Sequence, residues 1–119
     1  MKTIDKEQAL AALTQVVEER GGFYVYTPPL GGRCVYADDG TPSCGVGLAL
    51  SILGVSTPVL EQLDAALGGS EICGGPVEKI LLEEGFTLTL GAVDVFAKFQ
   101  QLQDKANPYE FALAESALV

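Results

Sequence analysis

The chain has 119 residues, of which 48% are hydrophobic and 19% charged, a composition typical of one globular domain and unlike that of a disordered tail or a coiled-coil rod. It has no histidine, which excludes Ser/His/Asp and Cys/His catalysis and every metal site that needs a histidine ligand. Its 7 basic and 16 acidic residues give a net charge of −9, which opposes contact with nucleic-acid phosphates and anionic membranes. We therefore expect a single domain over residues 1–119 that is not an enzyme and that binds protein partners.

The first predicted helix follows a polar N-terminal segment, with Thr3 as the expected N-cap and Gly21 as the expected end. Residues 1–7 carry acidic side chains where a secretion signal would have its apolar region, so we expect a cytoplasmic protein. The longest apolar run, residues 46–55, is well short of the roughly 20 residues that a bilayer-spanning helix needs. The sequence therefore predicts no association with a membrane.

Two segments rich in aromatic and β-branched residues, 23–27 and 33–37, flank a Pro-Pro-Leu-Gly-Gly turn, and this pattern predicts a β-hairpin at about residues 23–37. With a register symmetric about Leu30, the side chains alternate between two faces. The face expected to be core comprises Phe23, Val25, Val35 and Ala37. The opposite face comprises Tyr24, Tyr26, Cys34 and Tyr36.

The tyrosine face is the candidate partner-binding patch of the predicted hairpin. Tyrosine supplies rigid contact area with a polar end, and Tyr24, Tyr26 and Tyr36 would lie together there, with Arg33 at the edge. If this face is exposed, the acidic residues of the chain favour a basic or mixed-charge protein surface as its partner. The alternative is that a helix covers this face and that the hydroxyl groups form internal hydrogen bonds.

Further helical segments follow, so the sequence predicts a mostly helical α+β domain of four to six helices with one β-hairpin. Ser43 is the expected N-cap of a helix that ends at Gly54. A second helix begins at Thr57-Pro58, and a third begins at Pro76 and ends at Gly85.

The longest predicted helix, about residues 90–106, carries a continuous apolar seam from Ala92 to Ala106, with Phe96 beside it. This seam is broader than one neighbouring helix needs, and the mean hydropathy of +0.28 is high for a cytosolic domain of this size. Self-association would bury the excess apolar surface, so we expect a homodimer.

Residues 49–56 are similar to the turn of a DNA-binding helix-turn-helix, in which Gly54 would permit the sharp corner. However, residues 34–78 contain no Lys or Arg and six acidic residues, and a DNA-binding motif without phosphate contacts loses its main source of affinity. The pattern therefore favours a structural helix-turn-helix, and a transcriptional regulator is the third functional hypothesis.

Cys34 and Cys44 are ten positions apart, and Cys44 would lie in the first turn of a helix, whose dipole can stabilise a thiolate. A thiol-dependent or small-ligand-binding protein that uses these two residues is the second hypothesis. The alternative is that both cysteines pack the junction of hairpin and helix. Including Cys73, the cysteine count is odd, so we expect reduced thiols. The chain lacks paired ligand motifs and phosphate-binding loops, so we expect no metal and no cofactor.

The pattern Cys-x-Tyr, a short turn, and Pro-x-Cys-x-x-Gly-x-x-Leu is formed by Cys34, Tyr36, Pro42, Cys44, Gly47 and Leu50. A closing Gln-x-x-Gln-Asp motif with a following aromatic residue is formed by Gln100, Gln103, Asp104 and Tyr109. In these residues the chain resembles small accessory proteins encoded by actinobacterial phages and their hosts, which have Trp in place of Tyr109 and no counterpart of Cys73. The resemblance implies a phage or actinobacterial origin and supplies no catalytic residue.

The leading functional hypothesis is therefore a non-enzymatic protein-interaction module. The resemblance further implies a phage-encoded modulator of a host protein, acting in the host cytoplasm. Its expected partners are a host protein and a second copy of the chain.

Overall fold

Six helices and two short strand pairs form the part of the chain that the computed structural model describes, residues 2–27, 36–38, 40–67 and 75–119. The helices are α1 Lys6–Arg20, α2 Gly45–Ile52, α3 Thr57–Leu67, α4 Gly75–Glu83, α5 Leu90–Asp104 and α6 Tyr109–Ser116. The strands are β1 Lys2–Ile4, β2 Ala37–Asp38, β3 Thr41–Pro42 and β4 Phe86–Leu88. The predicted mostly helical α+β class is confirmed.

The strand β1 pairs in parallel with β4, with Thr3 opposite Thr87. The Lys2 amide donates to the Gly85 carbonyl at 2.8 Å, and the Thr89 amide donates to the Ile4 carbonyl at 3.0 Å. Ile4 is fully buried. The pairing therefore fixes the start of α1 beside the start of α5.

Two helix N-caps differ from the prediction by one or two residues. Asp5, not Thr3, caps α1: its carboxylate accepts from the Gln8 amide at 2.9 Å, and the Gln8 side chain accepts from the Asp5 amide at 3.1 Å. Thr3 is unavailable as a cap because it belongs to β1. Cys44, not Ser43, caps α2, because the Ser43 hydroxyl is hydrogen-bonded to the Tyr26 hydroxyl at 3.0 Å.

Helix α5 lies at the centre of the packing and contacts α1, α2 and α6. Its buried apolar residues are Ala92, Val95, Phe96 and Phe99. The seam that suggested a homodimer is therefore largely covered by helices of the same chain, although Ala106 at its end is exposed. The homodimer stays a prediction, and it needs a different surface.

The predicted hairpin needs correction where the structure describes it. Residues 23–27 form no strand with the described residues, and the antiparallel pair is the shorter β2–β3 instead. Burial does alternate along this segment, but with the opposite parity: Phe23 and Val25 are exposed, Tyr24 is half-buried and Tyr26 is buried. Of the second predicted strand, Tyr36 is buried and Ala37 belongs to β2. The remaining part of the predicted hairpin, residues 28–35, lies outside the described residues.

Helices α2 and α3 form the predicted helix-turn-helix. Gly54 adopts φ +104°, a left-handed conformation that residues with a Cβ rarely adopt, and the Val55 amide donates to the Leu50 carbonyl at 3.0 Å.

Among the described helices, none has both the length and the apolar character that crossing a membrane requires.

Candidate functional site

Four buried polar side chains and one backbone amide connect α2, α5 and α6 at what we call the tyrosine–glutamine junction. The side chains are those of Tyr36, Gln100, Gln103 and Tyr109, and the amide is that of Gly45. The Gln103 Oε1 accepts from the Gly45 amide at 2.8 Å and from the Tyr109 hydroxyl at 2.7 Å. The Tyr36 hydroxyl donates to Gln100 Oε1 at 2.9 Å. All four side chains are almost completely buried. These hydrogen bonds supply the partners that buried polar groups require, so the junction holds three helices together.

Gly47 permits the closest backbone approach in this region. A Cβ built on Gly47 would overlap the carbonyl oxygen of Tyr36 and would lie 2.9 Å from the Tyr36 Cα. A Cβ on Gly45 would likewise overlap the Phe99 ring. Both glycines therefore allow α2 to pack tightly. Tyr36 of the Cys-x-Tyr pattern meets Gln100 of the Gln-x-x-Gln-Asp pattern at this junction.

Asp64, on α3, binds the main chain that follows the undescribed residues 28–35. Its Oδ1 accepts from the Tyr36 amide at 2.7 Å and its Oδ2 accepts from the Ala37 amide at 3.0 Å. Burial raises the pKa of Asp64 above 3.8, against the two amide hydrogen bonds, which lower it, and with a smaller contribution from Glu61, which raises it. The carboxylate therefore fastens β2 to α3.

The tyrosines proposed as a binding patch are part of the packed interior. Tyr36 and Tyr26 are buried, and the half-buried Tyr24 ring lies edge-on to Tyr109 with 4.9 Å between ring centroids. The sequence-based alternative, in which the hydroxyls form internal hydrogen bonds, describes Tyr26 and Tyr36. The hypothesis of an exposed tyrosine face is thereby corrected, because too little of the Tyr26 and Tyr36 rings reaches solvent. Arg33 lies outside the described residues.

The Cys44 side chain is a packing and capping group. It is fully buried, and its Sγ accepts from the Gly47 amide at 3.4 Å. A thiol without solvent access is not available to an external oxidant or substrate. Cys34, its proposed partner, and Cys73 lie outside the described residues.

A polar cleft of about 240 Å³ lies between the end of α1 and the β2–β3 pair. Its walls include Arg20, Tyr26, Asp38 and Ser43. Thr27 lines it as well. Thr27 and Asp38 are close in sequence to residues 28–35, and those eight residues lie outside the described part of the chain. The described residues that line the cleft include one cation, Arg20, and one carboxylate, Asp38, and these do not define one class of ligand.

Two exposed phenylalanines lie at a second candidate site, which we call the phenylalanine surface. It comprises Phe23, Pro108, Glu110, Phe111 and Ala114. They line an open groove of about 420 Å³. Phe23 is 87% exposed and Phe111 is 46% exposed. Large apolar side chains grouped in a groove are typical of a protein-binding site.

The loop that carries Phe23 is held firmly against α6. The Glu110 amide donates to the Gly22 carbonyl at 2.8 Å, and the Tyr109 amide donates to the Tyr24 carbonyl at 2.9 Å. These carbonyls cap α6, whose N-cap residue Pro108 makes no side-chain cap hydrogen bond. Phe23 lies between the two bonded residues, so its backbone is fixed on both sides while its ring faces solvent.

An acidic side chain accompanies the phenylalanine surface, because Glu110 lines the groove. The groove therefore combines apolar lining residues with the carboxylate of Glu110 at its border. Arg20 lines the polar cleft and lies over the Tyr24 ring, with 5.6 Å to its centroid.

Sequence reasoning missed this surface because it assigned Phe23 to the core face of a hairpin. A signal was present in α6, where Tyr109 and Ala112 are buried while Phe111 and Ala114, three positions apart, are exposed.

A scan against protein-family models gave no match, and searches of curated proteins and of solved structures gave none either.

Proposed function

We propose that this protein is a non-enzymatic protein-interaction module that binds its partner through the phenylalanine surface. The observation that carries the proposal is the presentation of Phe23, a ring 87% exposed on a loop whose neighbouring carbonyls are both hydrogen-bonded to α6. A mobile exposed ring would lose conformational freedom on binding. A ring on a fixed backbone has less to lose, so more of its burial energy appears as affinity.

The energy available is sufficient for a binding hot spot. Complete burial of a phenylalanine side chain contributes about 1.5–3 kcal/mol, and two such rings lie at the same groove. Aromatic side chains at the centre of an interface commonly dominate its affinity. In the free protein most of this gain is unused at Phe23 and part of it is unused at Phe111, which favours a partner over a purely structural role for the two rings.

The resemblance to phage and actinobacterial accessory proteins supports a host protein as the partner and the host cytoplasm as the place of action. The second hypothesis, thiol-dependent chemistry at Cys34 and Cys44, is disfavoured by the complete burial of Cys44. The third, a DNA-binding regulator, is disfavoured by the absence of Lys and Arg from residues 34–78, which include α2 and α3.

The test is affinity capture from actinobacterial lysate with three versions of the protein: the wild type, Phe23→Ser/Phe111→Ser, and the control Leu90→Ser/Leu82→Ser. The control residues match the two phenylalanines in exposure, at 82% and 48%, and lie on α5 and α4. Circular dichroism establishes that all three are folded.

We expect one host protein to be retained by the wild type and by the leucine variant and to be lost with the phenylalanine variant. Binding of the purified host protein is then measured by calorimetry. Equal retention by all three folded proteins, or retention of no protein by the wild type, would overturn the proposal.

A further inference from the structure

We propose that the phenylalanine surface takes an amphipathic helix with basic residues flanking its apolar face; this inference rests on the proposed function and names the class of partner. Three observations carry it: the shape of the groove wall, the state of the main-chain groups around it, and the charge along its border.

The groove wall is itself a helix face. Phe111 and Ala114 lie three positions apart on α6, and Phe23 lines the same groove. The small alanine beside the large ring makes the helix face uneven, so a side chain from a partner helix fits against it as a ridge into a groove. The eight residues of α6 extend about 12 Å, so the contact spans about two turns of the partner.

The main-chain carbonyls on either side of Phe23 are already hydrogen-bonded. Those of Gly22 and Tyr24 accept from the first amides of α6. An extended peptide recognises a protein chiefly through main-chain hydrogen bonds to a strand edge, and none of the described residues that line the groove belongs to a strand. A helix satisfies its own main-chain groups and needs only side-chain contacts, which is what this groove provides.

The acidic side chain at the border of the groove selects the charge of the partner. Glu110 lines the groove, and the whole chain has a net charge of −9. A second copy of this protein would bring Glu110 and the same negative charge against itself, so charge disfavours a homodimer at this site. Lys or Arg on the flanks of the helix complements the border.

The probe is a fluorescein-labelled peptide of Leu, Ala and Lys with leucines at positions i, i+3, i+4 and i+7 of a helix, followed by fluorescence anisotropy. One control peptide has Glu in place of every Lys. The other has the composition of the probe, but its leucines are spread around the helix. The protein variants are Phe23→Ala, Glu110→Gln and the control Leu90→Ser/Leu82→Ser.

We expect the amphipathic lysine peptide to bind at least about tenfold more tightly than either control peptide, because it alone satisfies both the groove and its border. Phe23→Ala should weaken its binding by about 30-fold, as expected for a hot-spot residue. Glu110→Gln should weaken it by about two- to threefold and should reduce the dependence of affinity on salt. The leucine variant should bind like the wild type.

Equal binding of the two lysine peptides would show attraction by charge alone and would overturn the inference. Weak binding of all three peptides would also overturn the inference. In that case the proposed function would still stand if Phe23→Ser/Phe111→Ser failed to capture the host protein that the wild type retains. Self-association that Phe23→Ala abolishes would identify a second copy as the occupant and would overturn it as well.

Discussion

The tyrosine–glutamine junction and the phenylalanine surface occupy adjacent positions at the start of α6, Tyr109 and Glu110, yet they distribute polarity in opposite ways. At the junction, Tyr36, Gln103 and Tyr109 place hydroxyl and amide groups in the interior. At the surface, Phe23 and Phe111, which have no polar atom in their side chains, face solvent. Hydrophobicity alone would predict the reverse, with the phenylalanines buried and the tyrosines and glutamine exposed.

The difference shows what each region contributes. A buried polar group stabilises the fold only when its partner is in place, so the junction specifies one arrangement of α2, α5 and α6. An exposed phenylalanine contributes almost nothing to folding, so its value lies in what it contacts afterwards. Substitutions at the junction should therefore change stability, and substitutions at the surface should change binding.

The largest expected effect is that of Gly47→Ala at the junction. Alanine normally stabilises a helix relative to glycine, but here its Cβ would overlap the Tyr36 carbonyl oxygen, a backbone atom that cannot rotate away. We expect the free energy of unfolding in urea to fall by about 3 kcal/mol or more.

Gly91→Ala is the matched control on α5, because its Cβ would come no nearer to the Lys6 side chain than 3.1 Å, at the Lys6 Cβ, and a shift of α1 by a few tenths of an ångström relieves this contact. It should change the free energy of unfolding by no more than about 1 kcal/mol. Equal effects of the two substitutions would contradict the close approach at Gly47.

Gln103→Leu should have the next largest effect. It leaves the Gly45 amide and the Tyr109 hydroxyl without the acceptor that both share, and we expect destabilisation of about 2–4 kcal/mol in urea unfolding. Tyr109→Phe removes the hydroxyl that donates to the same acceptor, so the double variant with Gln103→Leu should lose less stability than the sum of the single variants. Additive losses would show that the two side chains act independently.

Asp64 should make stability depend on pH in a direction opposite to that of a salt-bridged carboxylate. Burial holds its folded-state pKa above 3.8, so the folded protein binds this proton more readily than the unfolded chain. Its contribution to the free energy of unfolding is therefore largest below pH 3.8 and is lost as the pH rises through the folded-state pKa.

The measurement compares urea unfolding of the wild type with that of Asp64→Asn between about pH 3 and about pH 7, together with an NMR titration of the carboxyl carbon. The stability of the wild type relative to the variant should decrease as the pH rises. A relative stability that increases with pH would contradict the pKa direction.

The smallest expected effect on stability belongs to Phe23→Ala. Because the ring is 87% exposed, its removal should change the free energy of unfolding by no more than about 0.5 kcal/mol while it removes partner binding. Thermal unfolding followed by circular dichroism measures the first quantity. A loss of several degrees in Tm would place Phe23 among the structural residues and would remove the contrast between the two regions.

Local patterns in the sequence predicted the helices well because their end signals are local. Gly21, Gly54 and Gly85 follow α1, α2 and α4 as expected, and all three have positive φ. The β1–β4 pairing was not predicted, because it joins residues 2–4 to residues 86–88 and neither segment is long enough to show a strand pattern. The position of Thr3 as a cap was wrong for the same reason.

The candidate site was harder to predict because alternation along a segment does not state which face is inside. The pattern at 23–27 correctly separates Phe23 and Val25 from Tyr24 and Tyr26, but the two tyrosines are the more buried pair. The choice depends on partners distant in sequence: Tyr109 for the Tyr24 ring and Ser43 for the Tyr26 hydroxyl. No local property of residues 23–27 contains that information.

The pairing of β1 with β4 also sets an order of events during synthesis. β1 precedes every other described element, but its hydrogen-bonding partner ends at Leu88, and the central helix α5 begins only at Leu90. The apolar face of α1, including Leu13 and Val16, and the side chain of Ile4 therefore remain without much of their final packing until most of the chain has been made. Contacts of such long sequence separation slow folding, and the growing chain exposes apolar surface meanwhile. A ribosome-bound chain that ends before β4 should accordingly be a good substrate for chaperones, and one that extends through α6 a poor one.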